Sequence, residues 1–183
     1  AAGNDVCVYN RTAENAKAWV AEFGGTSAAS PDLAAKGRDL VLVCVGNDDD
    51  VREVVLGDNG AAKAMEQGSI LVDHTTASAA LARELDSILG SRGIGFMDGP
   101  VSGGQAGAVN GALTVMLGGN DADYEKAKPV MDSYSRFSKV LGPAGNGQLA
   151  KMVNQICIAG IVQGLAEGLN FAMRAGLDGE ALI

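Results

Sequence analysis

Two short apolar runs, Leu40-Val41-Leu42-Val43-Cys44-Val45 and Ile70-Leu71-Val72 leading into Asp73, set the tightest limit on what this chain can fold into. Neither run alternates with polar residues, so each fits a strand covered on both faces. Helical periodicity separates them, at about residues 50–56, 61–66 and 78–89. A further β-rich run at 6–9 precedes a helical pattern to about Phe23. Later strands are expected at 95–97, 113–117 and 138–141, with a helix over about 121–132. Short apolar strands alternating with amphipathic helices make βα units, and hence an α/β fold with a largely parallel sheet.

The remaining composition mostly excludes. A net charge of −8 argues against nucleic acid or an anionic membrane as a partner held by bulk electrostatics. The three cysteines, Cys7, Cys44 and Cys157, sit apart inside apolar runs, as small core residues of a reducing compartment do. They form no disulfide framework, and the sequence offers no ligand cluster for a metal. With no signal-peptide layout and no 18 consecutive apolar residues, the expected location is the cytoplasm, without a membrane span. The chain starts at Ala1 without Met and stops in mid-pattern at Leu182-Ile183, so it reads as a fragment.

After Gly147 the pattern changes. Residues 148–175 contain no proline and keep helical periodicity throughout. At about 1.5 Å per residue such a helix runs on the order of 40 Å, which suits one that joins two domains. Gly176 ends it, and Asp178 is placed to cap a further helix. Between Leu149 and Val162 the helix is apolar or glycine nearly all round, so burial is expected. The exceptions are Lys151, Asn154 and Gln155, at i, i+3 and i+4 on one face. Such a cluster could be a solvated patch, but its narrowness and apolar flanks favour an active-site cleft. A second stripe, Gln163, Glu167, Asn170 and Arg174, reads as a solvated or partner-facing edge.

Three loops carry further signals. Gly142-Pro143-Ala144-Gly145-Asn146-Gly147 opens the long helix, either as an anion or cofactor site or as a flexible turn. In Asp98-Gly99-Pro100-Val101-Ser102-Gly103-Gly104, the glycines can bring N–H groups to a ligand carboxylate and Ser102 adds a hydroxyl. A simple tight loop is the other reading. Asn10-Arg11-Thr12 follows the first strand. In a dinucleotide fold an acid at that place takes the ribose 2′-hydroxyl, whereas Arg suits a 2′-phosphate, so NADP is favoured over NAD.

These motifs, with Val72-Asp73-His74-Thr75-Thr76 and Gly111-Ala112-Leu113-Thr114, stand in one order along the chain. In that order the chain resembles the 3-hydroxyisobutyrate dehydrogenase family of β-hydroxyacid dehydrogenases over essentially its whole length. The resemblance implies a Rossmann-like, doubly wound domain over residues 1–147, lacking its first βα unit and glycine loop. Residues 148–183 would be an interdomain helix and the start of an all-α domain through which subunits pair. It implies Lys151 as the catalytic acid/base, with Asn154 and Gln155 orienting the substrate. Ser102, Gly103 and Gly104 would hold the substrate carboxylate. Asn10, Arg11, Thr12, Val45, Gly46 and Thr76 would line the cofactor, although the family usually has Pro where this chain has Gly46. His74 is given no catalytic part. The implied reaction is hydride transfer between NAD(P) and a short 3-hydroxy acid or its semialdehyde. Glyoxylate, succinic-semialdehyde and tartronate-semialdehyde reductases, and a non-catalytic binding or assembly module, are the alternatives.

Overall fold

The computed structural model describes residues 3–182. Ala1, Ala2 and Ile183, on which the fragment reading partly rests, lie outside the described residues. In chain order the elements are β1 (Cys7–Val8), α1 (Ala13–Phe23), β2 (Thr26–Ser27), α2 (Pro31–Ala35), β3 (Leu40–Val43) and α3 (Asp48–Leu56). A 3-10 turn at Ala61–Lys63 leads to β4 (Ile70–Asp73), α4 (Ala79–Gly90), β5 (Gly95–Asp98), β6 (Val101–Ser102) and α5 (Gly104–Val109). Then come β7 (Leu113–Leu117), α6 (Asp121–Met131), β8 (Ser135–Val140), α7 (Asn146–Arg174) and a final 3-10 turn, Glu180–Leu182.

Strands β3, β4 and β5 pair in parallel in that order, as do β1 and β2 in a separate pair. A third group has the order β6-β7-β8, with β6 antiparallel and β8 parallel to β7. An antiparallel bridge between Asp98 and Gly118 joins the end of β5 to the end of β7. Alternation along β4 and β5 divides the core between two faces. Leu71 and Phe96 pack with Val51, Val55, Leu81, Leu85 and Leu89 on one side. Ile70, Val72 and Met97 pack with Val115, Leu117 and Met131 on the other. Strand β4 is therefore covered on both faces, as its apolar run predicts.

Local chemistry sets the helix starts. The side chains of Asn47, Ser78 and Asn120 accept from the backbone N–H of Asp50, Leu81 and Asp123 at 2.9, 3.0 and 2.9 Å. The three aspartates opening α3 also face the positive end of its dipole. Helix α7 differs, because its cap residue is Gly145, at φ +94°, with no side chain to offer.

Four expectations are corrected. β3 is covered less than expected, with Leu42 exposed, because β3 is an edge strand paired only with β4 among the described residues. Cys44 and Cys157 are exposed and Cys7 is half-buried, so the cysteines are not core residues, although all three are free. β8 begins at Ser135, three residues before the expected start, and β2, α2, β6 and α5 are elements that the sequence pattern does not predict. Finally, α7 is buried only at Gly147, Gln148, Lys151 and Ala172, and Ile156 is 72% exposed. From Gln155 to Gly168 every residue of α7 is exposed. By length and composition alone α7 is also apolar enough to cross a membrane. Its polar edge is solvated as expected, with Gln163 Nε2 donating to Glu167 Oε1 at 2.9 Å.

The first turn of α7 is fitted closely. A Cβ on Gly147 would press on the Met116 carbonyl and lie 2.7 Å from the Asp98 carbonyl oxygen. Gly147→Ala is expected to lower unfolding free energy by about 1–3 kcal/mol. Gly90→Ala, whose Cβ meets nothing within 4 Å, should change it by no more than about 0.5 kcal/mol. Urea titration of both variants checks the contrast.

Candidate active site

The parallel strands bring several motif residues to one end of the sheet. β4 ends at Asp73, and the next residues, His74, Thr75 and Thr76, leave across the strand tops. Thr75 is buried, and its hydroxyl accepts from Val45 N at 3.0 Å while its own N–H donates to Asp73 Oδ1 at 2.9 Å. It thereby ties the turn at Val45 and Gly46 after β3 to the end of β4. Gly46 and Thr76 are exposed beside this tie. A Cβ on Gly46 would sit 2.7 Å from Asp50 Oδ2, the end of a side chain that can turn aside.

β5 ends in Asp98, which is fully buried. Its Oδ1 accepts from Gly145 N at 2.7 Å and its Oδ2 from Gln148 N at 2.8 Å. This corrects one sequence option. The glycine-rich opening of α7 is not left free for an outside anion, because Asp98 already fills that place. Gln148, also fully buried, ties α7 to the residues after β4. Its Nε2 donates to the Thr75 carbonyl at 2.7 Å and its Oε1 accepts from Ala77 N at 3.0 Å. Sequence reasoning misses both Asp98 and Gln148 as site residues. The signal available for Asp98 is a carboxylate closing an apolar strand just before the Gly-Pro turn.

One turn beyond Gln148 stands Lys151, 9% exposed, whose Nζ donates to the Val101 carbonyl at 2.9 Å. An ammonium has three N–H bonds, and this contact uses one. Lys151 opens with Val101, Ser102, Gly103 and Gly104 onto a cleft of about 600 Å³, walled further by Leu42, Cys44, His74, Ala108, Leu113 and Tyr134. Gly103, at φ +131°, and Gly104, at φ +59°, form the bend between β6 and α5. A side chain is strained in that region of backbone conformation, so the bend favours glycine. Lys151 and the serine–diglycine bend are thus brought together as expected.

Other residues fall elsewhere. Asn154 is half-buried and Gln155 exposed, and Asn154 Nδ2 donates to Gln155 Oε1 at 3.1 Å rather than into this cleft. Asn10, Arg11 and Thr12 lie exposed at the end of β1, with Asn10 Oδ1 accepting from Thr12 N at 2.9 Å. The Arg11 side chain, 86% exposed, reaches Asp50 Oδ1 at 3.3 Å.

His74 belongs to the cleft wall. Burial holds its imidazole below the usual pKa, hence neutral, and pushes the Tyr134 phenol up. The phenol is then the donor to Nε2 at 2.8 Å, which leaves Nδ1–H to donate to the Gly99 carbonyl at 2.5 Å. Although Cys44 is exposed as a residue, partial desolvation raises its thiol, with the charge of Asp73 adding to it, so the thiol form is favoured. Asp98 is raised by burial despite the N–H groups aimed at it.

Burial pushes the Asp73 carboxyl up to about 6. Between about pH 4 and 6 the folded chain therefore holds a proton that the unfolded chain has released. Its stabilising effect is full at low pH and is lost as pH rises through 6. Asp73→Asn keeps an oxygen for Thr75 N and removes that loss. Relative to the parent, the variant should gain up to about 3 kcal/mol between pH 4 and pH 8. Urea titrations at both pH values measure the gap, and a gap that does not change with pH contradicts the assignment.

Comparison with known proteins fits this geometry. Residues 1–154 match the NAD binding domain of 6-phosphogluconate dehydrogenase. The chain is 60% identical over 181 residues to an uncharacterized oxidoreductase of Shewanella frigidimarina, covering 99% of this chain and 62% of that protein. It is 41% identical over 178 residues to a protein of Arabidopsis thaliana named probable 3-hydroxyisobutyrate dehydrogenase-like 2, mitochondrial, covering 97% of this chain and 59% of that protein. The solved structure of the 3-hydroxyisobutyrate dehydrogenase of Mycobacterium tuberculosis with L-serine superposes with a TM-score of 0.86 at 29% identity, covering 93% of this chain and 58% of that one. The chain spans about three-fifths of the length of these relatives. It belongs to the family of the NAD binding domain of 6-phosphogluconate dehydrogenase, among homologues named for 3-hydroxyisobutyrate dehydrogenase.

Proposed function

We propose that this chain carries the cofactor-binding half and the proton-transfer lysine of a dehydrogenase acting on a short 3-hydroxy acid or its semialdehyde. One observation carries the reading. A nearly buried ammonium, Lys151 Nζ, is held 2.9 Å from the Val101 carbonyl beside the Ser102–Gly104 bend, in a single cleft.

The strand ends suit a dinucleotide. In open α/β sheets ligands lie beyond the carboxyl ends of the strands, where Asn10–Thr12, Val45–Gly46 and Thr76 are found. When bound there, the nicotinamide supplies or receives the hydride. The backbone N–H groups of Gly103 and Gly104, with the Ser102 hydroxyl, hold the substrate carboxylate and set its distance and angle. Lys151 then stabilises the neighbouring oxygen as it gains negative charge, and gives it a proton in reduction or takes one in oxidation. Such a group contributes about 10²–10⁴-fold. The apolar walls from Leu42, Val101 and Leu113 limit water at the reacting centre.

NADP is favoured over NAD in this reading, because the end of β1 offers Arg11 and no acid. Asp50 already pairs with Arg11, but exposed pairs of this kind are worth about 0–1 kcal/mol, so a 2′-phosphate can displace it. Residues 148–183 are read as the beginning of an all-α substrate and pairing domain, which the uncovered apolar sides of α7 support.

Lys151→Ala is expected to lower kcat by at least about 10²-fold with cofactor affinity nearly unchanged, in assays of the full-length protein with 3-hydroxyisobutyrate and related hydroxy acids. Equal turnover would remove the lysine from the mechanism. Arg11→Ala should weaken NADPH by about ten-fold or more and NADH little. Equal losses in fluorescence titrations of the two cofactors would end the 2′-phosphate argument.

A further inference from the structure

Lys151 can only do this work if its helix is held in one register against the loop it faces, and α7 carries no cap of its own. Its cap position is Gly145, and the first turn is closed instead by a carboxylate from another element. Two connections run between the same pair of segments. Asp98 Oδ2 accepts from Gln148 N at 2.8 Å, and three residues further along both segments the Lys151 ammonium donates to the Val101 carbonyl at 2.9 Å. We infer that Asp98 is a positioning residue, whose carboxylate fixes the first turn of α7 so that Lys151 is delivered to the Val101–Gly104 side of the cleft.

The surroundings of Asp98 are built for that task. Its own N–H and carbonyl are paired with Gly118 at 3.0 and 2.8 Å, so the carboxylate projects from a fixed point at the top of the sheet. Gly118 leaves room for the approach, since a Cβ there would collide with Asp98 Oδ1 and lie 2.8 and 2.9 Å from the N–H groups of Asn146 and Gly147. Gly147 fits against the Met116 and Asp98 carbonyls in the same way. Gln148 adds a tie to the β4 side through Thr75 and Ala77. Asp98 itself reaches α7 by backbone contacts and is not among the residues walling the cleft, so its effect on the reaction passes through Lys151.

The test uses Asp98→Asn in the full-length protein, which removes the charge and one of the two acceptors but keeps the shape. Site-resolved acetylation with an N-hydroxysuccinimide acetate, read by mass spectrometry, reports how well Lys151 is held. Asp98→Asn should raise its rate by about ten-fold or more, with exposed Lys126 and Lys139 unchanged; an unchanged Lys151 rate in the folded variant overturns the inference. The activity arm rests on the proposed role of Lys151. There kcat should fall by about 10²-fold, as a small misplacement of a reacting group can cause, without change in cofactor affinity. In a Lys151→Ala background the same substitution should cost almost nothing further, and additive losses overturn the inference. Full turnover in Lys151→Ala alone would instead defeat the proposed function, and the acetylation result would still decide the role of Asp98. Should Asp98→Asn not fold, the unsubstituted protein under mild urea decides the matter. Gln148 amide exchange and Lys151 acetylation should rise at the same denaturant concentration, and rises at separate concentrations refute the coupling.

Discussion

A fully buried carboxylate, that of Asp98, is the constraint on which the arrangement of the candidate site depends. Removing a charge from water costs several kcal/mol unless donors surround it. Here the donors are the backbone N–H groups of Gly145 and Gln148, which a helix start leaves unpaired in any case. Two costs offset one another: a buried anion without water, and a helix start without a side-chain cap. The contact joins residues fifty positions apart in sequence. It places the long helix over the tops of β5 and β7 and gives Lys151 its direction.

The cleft follows from that placement. One wall is the bend at Gly103 and Gly104, which no bulkier residues could form without strain. Another is the His74–Tyr134 pair, whose rings meet edge to face at 5.5 Å. Both nitrogens of His74 are occupied, by the Tyr134 hydroxyl and the Gly99 carbonyl. A neutral histidine so engaged braces the Gly99–Val101 segment rather than exchanging protons. Lys151 is then the cationic group at this wall of the cleft.

Much of this was legible in sequence because short-range rules govern it. The runs at β3 and β4, the helices expected near residues 50–56, 78–89 and 121–132, and the glycine ending α7 all follow from local periodicity and end signals. The serine–diglycine bend and Lys151 were legible as motifs. The burial of α7 was not. Its apolar composition predicts a covered helix, yet Ile156 and its neighbours meet no partner among the described residues. Composition records what a surface is suited to touch and cannot say which element supplies the contact. The same gap explains Cys44, which sits in an apolar run but just past the end of the edge strand β3. It also explains Asn154 and Gln155, which share the helix face of Lys151 but lie beyond the point where the sheet covers it.

By itself, then, the sequence determined the α/β class, the principal strands and helices and their largely parallel pairing, and which residues could carry an anion-binding bend or a proton-transferring amine, but not the short elements β2, α2, β6 and α5. Those properties depend on neighbours within a few positions, where backbone geometry acts directly. Tertiary structure decided that the glycines before α7 serve Asp98 rather than an outside anion. It also decided that Lys151 meets Val101, that Gln148 ties down the β4 turn, and that Arg11 faces Asp50. Each of these is a hydrogen bond or ion pair between distant segments. Its partners are selected by how the sheet stacks and where its strands end, and no spacing along the chain encodes that.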